Sequence, residues 1–174
     1  LEGFAGTGKT TVVENIYDSL DTLNRIESLA DPNHKPYTMY LTSTTNQAAE
    51  AMQDATGVDT STIHKALGIR VQKDFTTNKT KLISNSSVPR IEHAVVVIDV
   101  AGNITPELWD MIGELTNECK FILVGDPYQL IDFHANEAFV FRKGFNSVEL
   151  DQVVRQDANN PIIQLAAQLR NTVK

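Results

Sequence analysis

The feature that most constrains this chain is an eight-residue stretch near its start, "GFAGTGKT" at residues 3–10. It matches the pattern G-x-x-x-x-G-K-[ST], with Gly3, Gly8, Lys9 and Thr10 at the specified positions. Glycines let successive backbone N–H groups converge on a phosphate, the following helix directs its positive end to the same anion, and the lysine adds a point charge. A glycine-rich turn that arises by chance is the alternative. Because a helix is predicted directly after the stretch, the pattern favours a phosphate-binding loop.

Length and composition place the chain among globular proteins of one domain. Its 174 residues are enough for a sizeable core and one small insertion, and 41% hydrophobic with 21% charged residues excludes collagen-like and wholly disordered classes. No apolar run approaches the ~18 residues of a membrane span, and the first residues show no secretory leader. The lone Cys119 suits a reducing cytoplasm. The net charge of −7 argues against a nucleic-acid coat protein but leaves room for a local strand-binding groove.

Hydrophobic periodicity and turn signals divide the chain into alternating helices and strands. Helices are predicted at 8–29, 45–55, 61–68 and 105–117, with a last one from Pro161, and strands at 37–43, 93–99, 120–126 and 147–152. Alternating residues around a "TTNKT" turn predict a small inserted β-hairpin at 70–88. Strands separated by helices predict an α/β fold with a parallel sheet. Residues 1–7 leave almost no room for the strand that should precede the loop, so the chain looks truncated at its N-terminus.

Two of the predicted strands end in side chains that suit a nucleotide site. The run "VVVID" delivers Asp99 from a strand buried on both faces, and a phosphate-binding loop needs such a carboxylate from a neighbouring strand to hold magnesium. The run "LVGDPYQL" places Asp126 and Gln129 beyond another strand, where ligands bind in parallel sheets. A solvated aspartate and an ordinary "GDP" turn are the respective alternatives.

The order of these motifs resembles a known family. The phosphate-binding loop is followed by "STTNQAAEAM", "STIHKALG", "VVVID", "LVGDPYQL", "ELDQVVRQ" and "NPIIQLAAQLRN". This series is similar to the first RecA-like motor domain of superfamily-one DNA helicases, and within those to the five-prime to three-prime branch, the RecD and Dda type. The resemblance covers essentially the whole chain. It implies a P-loop NTPase fold, a RecA-like parallel sheet flanked by helices, with the small hairpin as an insertion.

The resemblance also implies a set of nucleotide contacts. ATP and Mg²⁺ would be bound with Lys9 on the phosphates and with Thr10 and Asp99 on the metal side. Gln129 would sense the terminal phosphate, and Arg155 would neutralise charge that develops on transfer. An ordinary surface charge is the alternative for Arg155. The loop residues that the resemblance places at the nucleotide are Gly3, Ala5, Gly6, Thr7, Gly8, Lys9, Thr10 and Thr11.

A second set of residues matches segments that touch single-stranded DNA in the family. These are Thr45 and Asn46, and Thr62 with His64 in "TIH". Hydroxyls and helix N-termini hold phosphates without reading sequence, so the assignment is chemically consistent. The hairpin at 70–88 occupies the place of the family's strand-separating wedge. Helix N-caps are the alternative for the two threonines, and a structural role is the alternative for the histidine.

Three features depart from the family. Val100 follows Asp99 where the family usually has a glutamate that polarises the attacking water, and valine can neither accept a proton nor orient water. Glu2, Asp126 and Asp132 are candidate substitutes, none at a spacing that supports the role. The sequence "QLID" replaces the usual proline pair. The second motor domain is absent, so we expect this chain to supply half of an ATP site that lies between two domains.

The sequence therefore supports two hypotheses of different classes. One is the ATP-binding first motor domain of a helicase that acts in phage or bacterial replication or recombination, with impaired hydrolysis. The other is a non-catalytic nucleotide-binding module in which ATP is a structural or regulatory ligand, which Val100 and the acidic net charge favour. A small-molecule P-loop kinase would share the loop and the metal aspartate, but it leaves "TIH" and "GDPYQL" unexplained.

Overall fold

The computed structural model describes residues 1–73, 80–127 and 138–152. In chain order its elements are β1 (Glu2–Gly3), α1 (Lys9–Ala30), β2 (Thr38–Ser43), α2 (Asn46–Thr56), β3 (Thr60–Thr62), α3 (Ile63–Ala66), β4 (Ile69–Lys73), β5 (Thr80–Ser84), β6 (Ile91–Glu92), β7 (Ala94–Asp99), α4 (Pro106–Leu115), β8 (Thr116–Asn117), β9 (Lys120–Leu123) and β10 (Glu149–Leu150). Two short 3-10 helices lie at Ala101–Asn103 and Phe141–Lys143.

A parallel sheet forms the centre of the fold. Its four hydrogen-bonded strands run in the order β3-β2-β7-β9. A parallel pair of β1 and β10 continues it, because Glu2 bridges to Gly125 just after β9. The carboxyl ends of all these strands lie at one edge, where ligands bind in sheets of this kind. This arrangement confirms the predicted α/β fold with a parallel sheet flanked by helices.

Side chains of β7 alternate between two hydrophobic clusters on opposite faces of the sheet. Val97 packs with Val13 of α1 and Met52 of α2, whereas Val96 and Ile98 pack with residues of α3 and α4. Both faces are covered, which explains why this strand is a continuous apolar run rather than an alternating one. The predicted buried strand is confirmed, and its only partly exposed residue is its last one, Asp99.

Three threonines begin helices as N-caps. The side chains of Thr45, Thr62 and Thr105 each accept a hydrogen bond from the backbone N–H three residues later, and Pro106 follows Thr105 at the first helical position. Gly57 ends α2 in the left-handed conformation. The Thr105-Pro106 pair and Gly57 are sequence signals that predict these helix ends, and capping was the alternative to DNA contact for Thr45 and Thr62.

Three predictions need correction. The helix predicted at 61–68 is only one turn long, because Ser61 and Thr62 pair with β2 and that pairing outweighs local helix preference. The strand that seemed to lack room before the loop is present as β1. The spacing of apolar residues from Val12 to Leu23 predicts an amphipathic helix, but α1 buries mainly the first half of this stretch, since Val13 is buried and Leu23 is 51% exposed.

The predicted hairpin is confirmed as the antiparallel pair of β4 and β5, with Val71 opposite Leu82. The N–H of Leu82 donates to Oε1 of Glu107 at 3.2 Å, which ties the hairpin to α4. Most of the predicted "TTNKT" turn lies within residues 74–79, outside the described residues, as does the helix predicted from Pro161. Among the described residues, no helix combines the length and hydropathy that a bilayer crossing requires.

Candidate nucleotide site at the carboxyl edge of the sheet

The phosphate-binding motif forms a tight loop between β1 and α1. Gly6 and Gly8 have φ values of 82° and 85°, in the left-handed region that favours glycine. A Cβ added at Gly3 would lie 2.7 Å from the Thr7 hydroxyl and 2.8 Å from the Leu150 carbonyl oxygen. The motif glycines are therefore required by the backbone path itself.

Polar groups of the loop converge on its own interior. The Lys9 ammonium donates to the carbonyls of Gly3 at 2.7 Å and Phe4 at 2.6 Å, and the Thr7 hydroxyl donates to Phe4 at 2.8 Å. Helix α1 begins after Gly8 without a side-chain cap. Its first N–H groups and its dipole therefore point at the loop, which is the arrangement that attracts a phosphate. Thr10 and Thr11 lie in the first turn of this helix.

Asp99 lies at the end of β7, largely shielded from solvent. Burial raises the pKa of its carboxyl, while the Val100 N–H and the Lys9 ammonium partly lower it. Val13 of α1 and Val97 of β7 share one buried cluster, so the helix that follows the loop lies beside the strand that ends in Asp99. Magnesium in nucleotide sites is commonly held by one or two carboxylates together with substrate phosphates. Asp99, Thr10 and a phosphate on Lys9 would fit that ligand set.

We expect Asp99→Asn to stabilise the fold while it impairs metal-dependent binding. Because the folded-state pKa is raised, ionised Asp99 costs stability at pH 7, and that cost is relieved as the pH falls through the folded pKa toward 3.8. The neutral amide should add about 1 kcal/mol to the free energy of unfolding at pH 7. It should also weaken Mg²⁺-dependent ATP binding by about 10- to 100-fold.

Urea unfolding at pH 7 and pH 5, with ATP titrations with and without Mg²⁺, checks both effects of Asp99→Asn. The stability gain of the variant over the parent should shrink at the lower pH. Asp110→Asn, on the exposed part of α4, is the matched control and should change neither quantity. A variant less stable than the parent at pH 7 would show that the Asp99 carboxylate is a net stabiliser of the fold.

Val100 has a conformation that the sequence gave no reason to expect. Its φ of 52° and ψ of 42° lie in the left-handed region, which a β-branched residue rarely adopts. Hydrogen bonds hold it on both sides: the Thr44 hydroxyl donates to the Val100 carbonyl at 2.9 Å, and the Ala101 N–H donates to Val124 at 2.9 Å. Such strain persists where the surroundings enforce it, commonly at functional sites.

Of the remaining candidate residues of the nucleotide site, the structure describes two, Glu2 and Asp126. Asp126 is buried at 8% exposure, beside the Gly125 backbone that bridges to β1. Gln129, Asp132 and Arg155 lie outside the described residues. Glu2 lines a cavity of about 450 Å³ together with Trp109 of α4 and Phe145. The structure thus brings together the loop, Lys9 and Asp99.

The residues assigned to DNA lie at the same edge of the sheet. Thr62 pairs in register with Ser43 at the ends of β3 and β2, and Thr45 lies two residues after Ser43. The two capping hydroxyls accept from Ala48 and Lys65 at 3.2 Å.

The two other candidates for DNA contact differ in exposure. Asn46 is exposed at the first position of α2. His64 is partly buried, and burial lowers its pKa, which favours the neutral imidazole near pH 7.

Comparison with known proteins places this geometry in a family. A family model described as "AAA domain" matches residues 1–135. The chain is 28% identical over 167 residues to an ATP-dependent RecD2 DNA helicase of Deinococcus radiodurans, covering 95% of this chain and 21% of that protein. It is also 28% identical over 180 residues to the ATP-dependent DNA helicase Dda of Enterobacteria phage T4, covering 98% of this chain and 37% of that protein. These findings confirm the resemblance to superfamily-one DNA helicases that the motif order indicated.

Proposed function

The chain belongs to the AAA domain family, and we propose that it is the ATP-binding first motor domain of a DNA helicase that moves along single-stranded DNA. The observation that carries the proposal is that the loop and Asp99 both lie at the carboxyl edge of the sheet, with Val13 of α1 and Val97 of β7 in one buried cluster. The loop supplies the groups for nucleotide phosphates, and the strand supplies a carboxylate for Mg²⁺. The test of this assignment, the substitution of Lys9, is argued in the Discussion.

Single-stranded DNA is the second ligand in this proposal. An N-cap uses an acceptor site of the threonine hydroxyl, so the O–H of Thr45 or Thr62 can still donate to a DNA phosphate. Exposed Asn46 adds an amide donor at the start of α2. Neutral His64 offers one ring donor and one acceptor, which suits a contact that reads shape rather than charge. These four residues form a short polar track along the strand ends.

The charge distribution supports a nucleic-acid partner near the hairpin. Residues 65–90 contain six lysines and arginines against the single acidic residue Asp74, although the whole chain has a net charge of −7. Arg70 and Lys81 are exposed, and the strand register places them diagonally on the same face of the β4–β5 pair. A local positive surface in an acidic protein is the footprint expected for phosphate contacts. We therefore propose that the hairpin lies on DNA as the strand-separating wedge.

Replacing Arg70 and Lys81 with glutamine should weaken the binding of forked DNA and reduce its salt dependence. Each lost phosphate contact should make the slope of log K against log salt concentration shallower by about 0.9 on duplex or about 0.7 on a single strand. Fluorescence anisotropy with a labelled fork between 50 and 300 mM salt measures the slope. Arg25→Gln with Arg142→Gln is the matched control, since both arginines are exposed and lie outside the hairpin. An unchanged slope in the hairpin variant would show that DNA does not bind this surface.

The relatives are much longer than this chain, which spans 21% and 37% of their lengths. We propose that a second motor domain completes the ATP site and that Arg155 approaches the terminal phosphate from this side. Because the two relatives come from a bacterium and a phage, we also propose that the protein acts in the cytoplasm of a bacterial or phage-infected cell. The activity of the whole protein, unwinding included, belongs to that larger assembly.

A second candidate function is favoured by one observation. Val100 occupies the position after the metal aspartate, where the helicase resemblance implies a glutamate, and valine supplies no proton acceptor. We therefore propose impaired hydrolysis for this chain. A non-catalytic module that binds ATP as a structural or regulatory ligand is the competing function, and the substitution Val100→Glu separates the two.

A further inference from the structure

Four hydrogen bonds join the end of β2 to Asp99 and the turn that follows it. The Thr44 N–H and the Ser43 hydroxyl both donate to the Asp99 carbonyl, at 3.1 and 3.2 Å. The Thr44 hydroxyl donates to the Val100 carbonyl at 2.9 Å, and the Asn103 side-chain amide donates to that hydroxyl at 3.1 Å. Thr44 is thus connected to both ends of the turn. We call this set of contacts the Thr44 clamp.

The Thr44 clamp holds the strained part of the site. Val100 adopts its left-handed conformation between two fixed groups. The Asp99 carbonyl before it accepts from Ser43 and Thr44, and the Ala101 N–H after it donates to the Val124 carbonyl just beyond β9. Because valine gains nothing locally from this conformation, the surrounding hydrogen bonds must enforce it. A change in the position of Asp99 therefore acts on the Val100 carbonyl and, through it, on the Thr44 hydroxyl.

The Thr44 clamp adjoins the polar track of residues that we assign to DNA. Thr44 is followed directly by Thr45, the N-cap of α2, and the Thr45 N–H lies 3.4 Å from the Ser43 hydroxyl as its donor. Only one peptide unit separates the residue that holds the metal-strand turn from the residue assigned to DNA. Neither Thr44 nor Asn103 is itself assigned to the nucleotide or to DNA.

We propose that Thr44 and Asn103 are positioning residues that couple nucleotide binding at Asp99 to DNA binding at the start of α2. This inference rests on the proposed function, since it needs both ligands. A shift of the turn on occupancy of Asp99 by Mg²⁺-nucleotide would be carried by the Thr44 hydroxyl to the N-cap of α2. Such coupling is reciprocal, so DNA changes nucleotide affinity by the same factor as nucleotide changes DNA affinity.

The test measures a coupling ratio rather than activity. The Kd of a labelled oligo-dT is determined by anisotropy with and without a non-hydrolysable ATP analogue and Mg²⁺, and the ratio of the two values is the coupling. We expect a ratio of about 5 or more in the parent chain. Thr44→Val removes the hydroxyl at nearly constant volume and should bring the ratio to within about 2-fold of unity. Thr44→Ser keeps the hydroxyl and should restore it.

Thr42→Val is the matched control for this measurement. Thr42 lies on β2, two residues before Thr44, is 1% exposed, and donates its hydroxyl to the Val97 carbonyl at 2.6 Å, away from the turn. It should lower stability without changing the ratio. Asn103→Ala, which leaves the strand itself untouched, should lower the ratio in the same direction as Thr44→Val and provides a second measurement if that variant does not fold.

The outcomes distinguish this inference from the function on which it rests. A parent chain that binds both ligands with a ratio near unity would overturn the coupling and leave the proposed function standing. The coupling is also overturned if Thr44→Val and Asn103→Ala keep the parent ratio, or if Thr42→Val lowers the ratio equally. A chain that binds neither ligand even when extended at both ends would overturn the proposed function first.

Discussion

Replacing Lys9 with alanine is expected to weaken Mg²⁺-ATP binding by at least about 100-fold, an effect of about 3 kcal/mol. The Lys9 ammonium lies among the carbonyls of Gly3 and Phe4 at the centre of the loop. A phosphate bound there would be neutralised by this charge in a partly shielded site, where a lost charge-assisted contact costs far more than at the surface. Titration of a fluorescent ATP analogue, with the parent measured in parallel, gives the change in Kd.

A matched control separates this effect from a general loss of positive charge. Lys65→Ala removes an exposed lysine from α3 and should leave the nucleotide Kd within about 2-fold of the parent, because exposed charges contribute little. Circular dichroism should show the parent helix content in both variants. If Lys9→Ala binds ATP as tightly as the parent, the loop is not the phosphate site. If the chain binds no nucleotide even when extended at both ends, the proposed motor domain is wrong.

The central part of the fold could be predicted from short-range patterns. The apolar run ending at Asp99 indicated a strand buried on both faces, and Thr45 and Thr105 indicated helix starts, because these signals depend on neighbours within a few residues. The motif order then placed the loop and Asp99 at one edge. The structure adds the packing of Val13 on α1 with Val97 on β7, which brings the helix after the loop beside the strand that ends in Asp99.

The features that sequence reasoning missed depend on contacts between distant segments. The left-handed Val100 is held by Thr44, 56 positions earlier, and by the register of two strands, so nothing local announced it. The pairing of β3 with β2 likewise makes Ser61 and Thr62 a strand rather than the first turn of a helix. A polar "STTN" before a helix indicated a cap at Thr45, but its neighbour Thr44 has no local signal for its role.

Val100→Glu is expected to raise DNA-stimulated ATP hydrolysis by about 10²- to 10⁴-fold in a version of the protein that includes the second motor domain. The new carboxylate would follow Asp99 at the position where it can orient a water and accept its proton. Glutamate is not branched at Cβ, so the left-handed backbone at this position should accept it at no greater cost than valine. Phosphate release with and without single-stranded DNA measures the gain.

Two further variants decide what a gain or its absence means. Val100→Gln has nearly the same shape as Val100→Glu but cannot take a proton, so it should stay within about 10-fold of the parent if the carboxylate acts as a base. Adding Lys9→Ala to Val100→Glu should remove the gained activity, because both residues act on the same nucleotide. A gain that needs the carboxylate and Lys9 identifies a motor disabled at one residue. The absence of any gain, with nucleotide binding intact, would favour the non-catalytic module, in which ATP is a structural or regulatory ligand and no glutamate is required at position 100.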